Sequence, residues 1–307
     1  MRLWDMLASH AFPATAMLQR LLKRRFHVAG TCTGAHNAAA RLRLPYALAA
    51  VLLLLAPSVP ADLKGPAMSG LQVVGNQLVN ANNQAVVLHG VNRSGLEYAC
   101  IQGWGIFDGD DVMSDDLQVP LMKTWGINEV NLGLNEDCWL GINGVASAYG
   151  GTSYISAVQH EVATLESYGI YPVINLFWEA PGSTKATDQI AMPDNDHAPA
   201  LWQSVANTFK NDPRVIFRLK EEPYPAGNTD GSAAWQCWKN GDVQYAASGS
   251  LSPISTTTNC TEGYRTVGMQ SLINIIRGTG ATNVAIKPNQ TGFDLTADTD
   301  WTTPTLQ

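Results

Sequence analysis

No Cys-x-x-Cys pair, no histidine pair at metal-ligand spacing, no glycine-rich phosphate loop and no internal repeat occurs in these 307 residues. The sequence therefore offers no contiguous metal motif and no nucleotide fingerprint, and it leads us to expect neither metal nor cofactor. Positive charge is also short. The formal charge is −7 and grows more negative without the basic leader, which argues against nucleic acid or an anionic membrane as partner. A neutral polymer such as a polysaccharide is compatible with that balance.

A hydrophobic run of membrane-spanning length is missing too. The apolar run Leu44 to Pro57 falls short of the about 20 residues a helical span needs. It follows Arg20, Lys23, Arg24, Arg25, Arg41 and Arg43 and precedes Val59-Pro60-Ala61, the order of a secretory signal peptide and its small-residue cleavage site. Residues 1–61 read as leader and residues 62–307 as one exported domain, with no membrane attachment after cleavage. Cysteine usage agrees. Cys32 lies in the leader, and Cys100, Cys138, Cys237 and Cys260 remain, an even set that favours two disulfides in an exported chain. Three connectivities are open; Cys100 with Cys138 and Cys237 with Cys260 is the expected one.

Apolar runs alternate with amphipathic segments, the pattern of repeated β/α units around a parallel sheet. Gly75-Asn76 and Asn82-Asn83 read as turns of a small antiparallel hairpin. Five barrel strands follow, at Val86–Asn92, Asn128–Leu134, Tyr171–Trp178, Val215–Glu221 and Asn283–Pro288. Helices are expected at Ser114–Trp125, Ser153–Ser167, Ala198–Lys210 and Tyr264–Gly278. Long loops follow the strands, which in β/α barrels build the active face.

The motifs Leu88-His89-Gly90-Val91-Asn92-Arg93-Ser94-Gly95, Leu134 to Gly141, Trp178 to Gly182 and Val215 to Pro225 occur in order. Together they resemble a secreted cellulase-type enzyme of glycoside hydrolase family 5. The resemblance implies a (β/α)8 TIM-barrel fold and a retaining hydrolase of β-1,4-glucan or a related β-glycan, mannan included. It makes Glu222, before Pro223, the acid/base. Glu221 stands where the family has asparagine, Asn131 where it has the nucleophile-positioning arginine, and Phe177 where it has histidine. The family's strands six to eight, with the nucleophilic glutamate, find no counterpart here, so the sequence reads as a barrel cut short after about five units. Open sheet edges at its first and fifth strands would then favour self-association.

Side chains alternate along a strand. Regular alternation sends Val215, Phe217, Leu219 and Glu221 to the helices and Ile216, Arg218, Lys220 and Glu222 into the bore. Glu129, Asn131, Asn175 and Phe177 would line the same bore, with Glu129 a partner for Arg218, and Lys220 would lower the pKa of Glu222. Glu136, Asp137 and Glu179, on post-strand loops, are the carboxylates that could replace the nucleophile. Trp139 and Trp178 are the expected sugar-stacking residues, and Trp125 and Trp202 the expected core residues. Asn131, Glu221 and His89 complete the expected binding set, His89 lying beneath the site. Two readings of another class compete with an active glycosidase: an inactive carbohydrate-binding relic, and a truncated gene product.

Overall fold

The computed structural model describes residues 68–108, 118–225 and 231–286, all within the compact unit Val59–Gln307. The leader falls outside the described residues, and among those described no helix is long and apolar enough to cross a membrane.

Strands β1 (Gln72–Val74) and β2 (Gln77–Val79) form the expected hairpin. Gly75 turns it at φ 61°, and Asn83 makes the next turn at φ 58°, the left-handed region that glycine and asparagine enter most readily. A parallel sheet of five strands follows, in the order β3 (Gly90–Arg93), β4 (Glu129–Asn135), β5 (Tyr171–Trp178), β6 (Ile216–Arg218) and β9 (Ala285–Ile286). A minor hairpin pairs β7 (Val243–Gln244) with β8 (Ser255–Thr256).

One face of the sheet is apolar throughout. Val130, Leu132, Leu134, Ile174, Leu176, Phe217 and Leu219 are buried there in the main hydrophobic core, which the helices α4 (Thr152–Ser167), α5 (Ala198–Phe209) and α7 (Met269–Gly278) share through Val158, Trp202 and Leu272. Among the described residues, four shorter helices sit in the connections: α1 (Ala99–Gln102), α2 (Val119–Thr124), α3 (Glu136–Leu140) and α6 (Ser232–Asn240). The opposite face is divided. Its lower part, Tyr171, Val173, Ile216, Val284 and Ile286, is covered by Leu71, Val73, Leu78, Val86 and Leu88 from the hairpin region, and its upper part is polar.

Each of the five expected strands has a counterpart, the first shortened to Gly90–Arg93 because Val86 pairs with Leu78 of the hairpin, and two further differences have local causes. Helix α7 starts at Met269 rather than Tyr264, because Thr266 and Val267 are drawn into extended bridges with Asp194, Gly241 and Val243. Strand β6 ends at Arg218, and its alternation fails before Glu221. Phe217 and Leu219 donate their N–H groups to Val284 and Ile286 on the β9 side, as alternate residues of one strand do. The Glu221 N–H instead goes to Leu176 on β5, at 2.8 Å. The backbone has turned over between Leu219 and Glu221, which puts the Glu221 side chain with Arg218 and the Lys220 side chain with Glu179.

Candidate active site

The upper inner face carries Asn92 on β3, Asn131 on β4, Asn175 on β5 and Arg218 on β6, with Asn175 directly beside Arg218 in the register. The turned-over Glu221 drops its carboxylate among them. Arg218 Nη1 lies 3.1 Å from Glu221 Oε2, and the Asn131 and Asn175 side-chain amides both donate to the same oxygen. Asn131 also donates to Asn92 Oδ1 at 2.9 Å. Glu221 is therefore a held, buried anion, and its expected outward orientation is corrected by the inversion described above.

Glu129 lies one step lower on β4. Its carboxyl fits only because residue 90 is glycine, since a Cβ there would run into Glu129 Oε2. Burial pushes this carboxyl up to about 7, the Arg218 charge opposing and the Glu221 charge adding to the rise. Arg218 thus acts on Glu129, but its contact is with Glu221.

Glu222 follows, exposed, at φ 41°, a left-handed conformation that costs a side chain of this kind about 1 kcal/mol or more. Gln189 holds the turn, its side-chain amide donating to the carbonyls of Glu221 at 2.7 Å and Glu222 at 3.2 Å. A cleft of about 350 Å³ opens beside it, lined by Gln189, Ala191, Tyr224, Thr261 and Tyr264. Lys220 does not share this surface. Its side chain is fully buried against Glu179, Nζ to Oε1 at 2.6 Å, so the expected action of Lys220 on Glu222 is replaced by an internal ion pair.

The carboxylates weighed as replacements for a nucleophile are withdrawn from the face. Glu136, Asp137 and Glu179 are all buried. Asp137 accepts from Ala186 N at 2.9 Å and from the Asn143 amide at 2.8 Å. Burial raises the Glu179 carboxyl, and the Lys220 ammonium beside it pulls the other way, by charge and by hydrogen bond.

The aromatic expectations divide. Trp139 is 1% exposed. It sits on α3, packs against Tyr154 and Phe209, and donates Nε1–H to Ser204 at 3.1 Å. It is a core residue, and its expected place in the cleft is corrected by the helix that turns it inward. Trp125, expected in the core, is 80% exposed. Trp178 is half-buried at the end of β5, 6.0 Å from the Tyr98 ring, which in turn stands 5.6 Å from Trp104. The strip Trp104, Tyr98, Trp178 gives the face its aromatic surface. Tyr98 was not marked by the sequence pattern; the helix-loop position after β3, shared with Trp104, is the signal that could have found it. His89 is exposed and precedes β3, its backbone N–H held by Asn128 Oδ1 at 2.6 Å. That is the N-terminal end of the strand, away from the polar cluster. Both expected disulfides are formed, Cys100–Cys138 and Cys237–Cys260.

A five-strand parallel sheet wrapped by helices, with polar residues collected at the carboxyl ends of its inner face, is the arrangement of a β/α-barrel enzyme. The chain belongs to the cellulase family, glycosyl hydrolase family 5, whose model matches residues 79–303. Its fold is α/β of the (β/α)8 type, five of whose parallel strands lie among the described residues. Similar solved structures include an endo-beta-1,4-glucanase from Xanthomonas axonopodis pv. citri, with 21% identity and a TM-score of 0.39 over 65% of this chain and 51% of that one. A beta-glucanase from Saccharophagus degradans shows 17% identity and a TM-score of 0.44 over 73% and 54% of the two chains. An endogalactoceramidase shows 17% and 0.45 over 71% and 52%. The chain spans about half the length of these proteins. No curated protein matches it.

Proposed function

We propose that the protein is a secreted glycosidase that cleaves β-1,4-glucan or a related β-glycan with retention, Glu222 serving as acid/base. The observation that carries this reading is the placement of Glu222. It is a solvent-facing carboxyl on a strained turn, directly after the fourth parallel strand of a family 5 chain, with its backbone held by Gln189. Retention needs a second carboxyl about 5 to 5.5 Å away. Glu221 is committed to Arg218, and Glu136, Asp137 and Glu179 are buried, so none of these four supplies it. The aromatic strip Trp104, Tyr98, Trp178 would stack on sugar faces, with Asn131 and Glu221 bordering the substrate from below. The two disulfides support export, and the domain division at residue 61 belongs to the same proposal.

The Arg218–Glu221 ion pair favours a second reading, since it commits Glu221, which stands where the family has asparagine, to an internal contact. In that reading the protein binds β-glycan through the aromatic strip without cleaving it. Reducing-sugar release from carboxymethyl cellulose and β-mannan, compared between the purified protein and Glu222→Gln, separates the two. Activity that disappears in Glu222→Gln supports the acid/base role, and activity that survives the substitution sinks it. Absence of turnover with cello-oligosaccharide quenching of tryptophan fluorescence moves the protein to the binding class. Self-association through the outer strands β3 and β9 belongs to the proposal as well, and is read by sedimentation as a concentration-dependent mass.

A further inference from the structure

Three ligand-type side chains, two buried and one half-buried, converge from two post-strand loops. Glu136 opens α3 after β4; Asp194 and His197 lie in the loop between β5 and α5. Their donor atoms all lie within 4.8 Å of one another. His197 Nδ1 stands 3.6 Å from Glu136 Oε2, 3.7 Å from Asp194 Oδ1 and 3.2 Å from the Ala180 carbonyl oxygen.

The two carboxylate distances are too long for hydrogen bonds. They are the spacing of ligands around a metal, because bonds of 2.0 to 2.2 Å in a tetrahedron set neighbouring ligand atoms about 3.4 Å apart. A second observation points the same way. Glu136 and Asp194 are both 0% exposed and lie against each other, yet no N–H or hydroxyl group donates to Glu136 Oε1 or Asp194 Oδ2. Two adjacent buried carboxyls with unused lone pairs require a positive charge or a proton between them. The buried Lys220 is committed to Glu179, which leaves His197 as the side chain facing both carboxyls. The outer contacts are in place. Asp194 Oδ1 accepts the N–H groups of Asp196 and His197, both at 2.9 Å, and Glu136 Oε2 accepts from Ala180 N at 3.4 Å, contacts that orient ligands before an ion arrives.

We propose that Glu136, Asp194 and His197, with the Ala180 carbonyl, form a binding site for one divalent transition-metal ion of the zinc type. The mixed oxygen and nitrogen set suits Zn²⁺ and is unlike the all-oxygen set that Ca²⁺ takes. With four protein donors the site is closed, and its role is structural: it ties the loop after β4 to the loop after β5 on the face where Glu222 stands.

The test uses the full purified chain, stripped with chelator, reloaded with Zn²⁺ alone and desalted. About one Zn²⁺ per chain by elemental analysis is expected, with a rise of several degrees in melting temperature and slower proteolysis between residues 179 and 197. Glu136→Gln should lower Zn²⁺ affinity at least about tenfold, the loss that changing even an outer partner of a metal ligand causes. His197→Gln is the second variant, lying at the partly exposed edge of the cluster where the fold is least at risk. A proton shared by Glu136 and Asp194 is the competing occupant. It would give no Zn²⁺ above background, no melting shift on loading, and a Glu136→Gln variant as stable as the parent, because an amide donates the hydrogen bond the proton supplied. Any of those results, or equal Zn²⁺ content in parent and both variants, overturns the proposal.

Discussion

Glu179→Gln isolates what a buried charge costs in this molecule. Lys220 and Glu179 are both fully buried, 2.6 Å apart, and the ammonium also donates to the Phe177 carbonyl at 3.3 Å. Removing the carboxylate leaves a cation without a counter-charge, a change that costs about 3 to 5 kcal/mol in comparable interiors. Lys220 can limit that loss by giving up its proton. Neutralising a lysine with an unfolded pKa of about 10.4 costs about 1.4 kcal/mol for each pH unit below that value, so the loss cannot exceed about 5 kcal/mol at pH 7 or about 2 kcal/mol at pH 9. The sign follows from linkage. In the variant the lysine pKa is depressed in the folded state, the unfolded chain binds more protons, and stability relative to the parent rises with pH. Urea unfolding followed by tryptophan fluorescence at pH 7 and pH 9 measures both points. The double variant Glu179→Leu, Lys220→Met should recover most of the loss, since apolar replacement of a buried pair is often neutral or better. A loss under about 1 kcal/mol at pH 7, or one that does not shrink at pH 9, would refute the assignment of a buried ion pair.

Glu129 should show the opposite slope. Its folded carboxyl keeps a proton up to about 7 against an ordinary 4.5, so the folded state binds more protons between those values and stability falls by at most about 3 kcal/mol as pH rises through them. Glu129→Gln lacks the group, and the stability difference between variant and parent should change between pH 4.5 and 7 and level off above; parallel urea curves would contradict this. Replacing Cys237 and Cys260 together by alanine opens a loop spanning 23 positions and should cost about 3 kcal/mol, while the 38-position loop of Cys100–Cys138 should cost nearer 4 kcal/mol. Calorimetry of the two double variants checks both the size and the order.

The sheet was legible because burial on both sides of a parallel strand leaves a plain mark: Tyr171 to Trp178 is apolar at almost every position, and the structure makes it β5 over that same range. The disulfides were legible because each joins cysteines close in sequence. The chemistry between Leu219 and Glu222 was not. Alternation is a property of a regular strand, and one residue of inversion, visible only in where the Glu221 N–H goes, exchanges the faces of Glu221 and Lys220. Trp139 was misplaced for a related reason. Its segment is loop-like in composition, but the Asn135 side chain caps Cys138 N at 3.1 Å and starts a single helical turn that aims the indole inward. The cluster of Glu136, Asp194 and His197 leaves no contiguous motif, since its members are brought together by two separate crossovers and not by spacing along one helix.

The hairpin β1–β2 has a practical consequence. It covers the lower inner face of the sheet, with Leu71 N bonded to Pro213 O just before β6 and the Tyr171 hydroxyl bonded to Ser69 O at the start of β5. Ser69 and Leu71 therefore lie at the floor of the molecule, while Glu222 and the Trp104–Tyr98–Trp178 strip stand at its roof. A resin or affinity handle gripping the hairpin β1–β2 would hold the protein from below and leave the roof exposed.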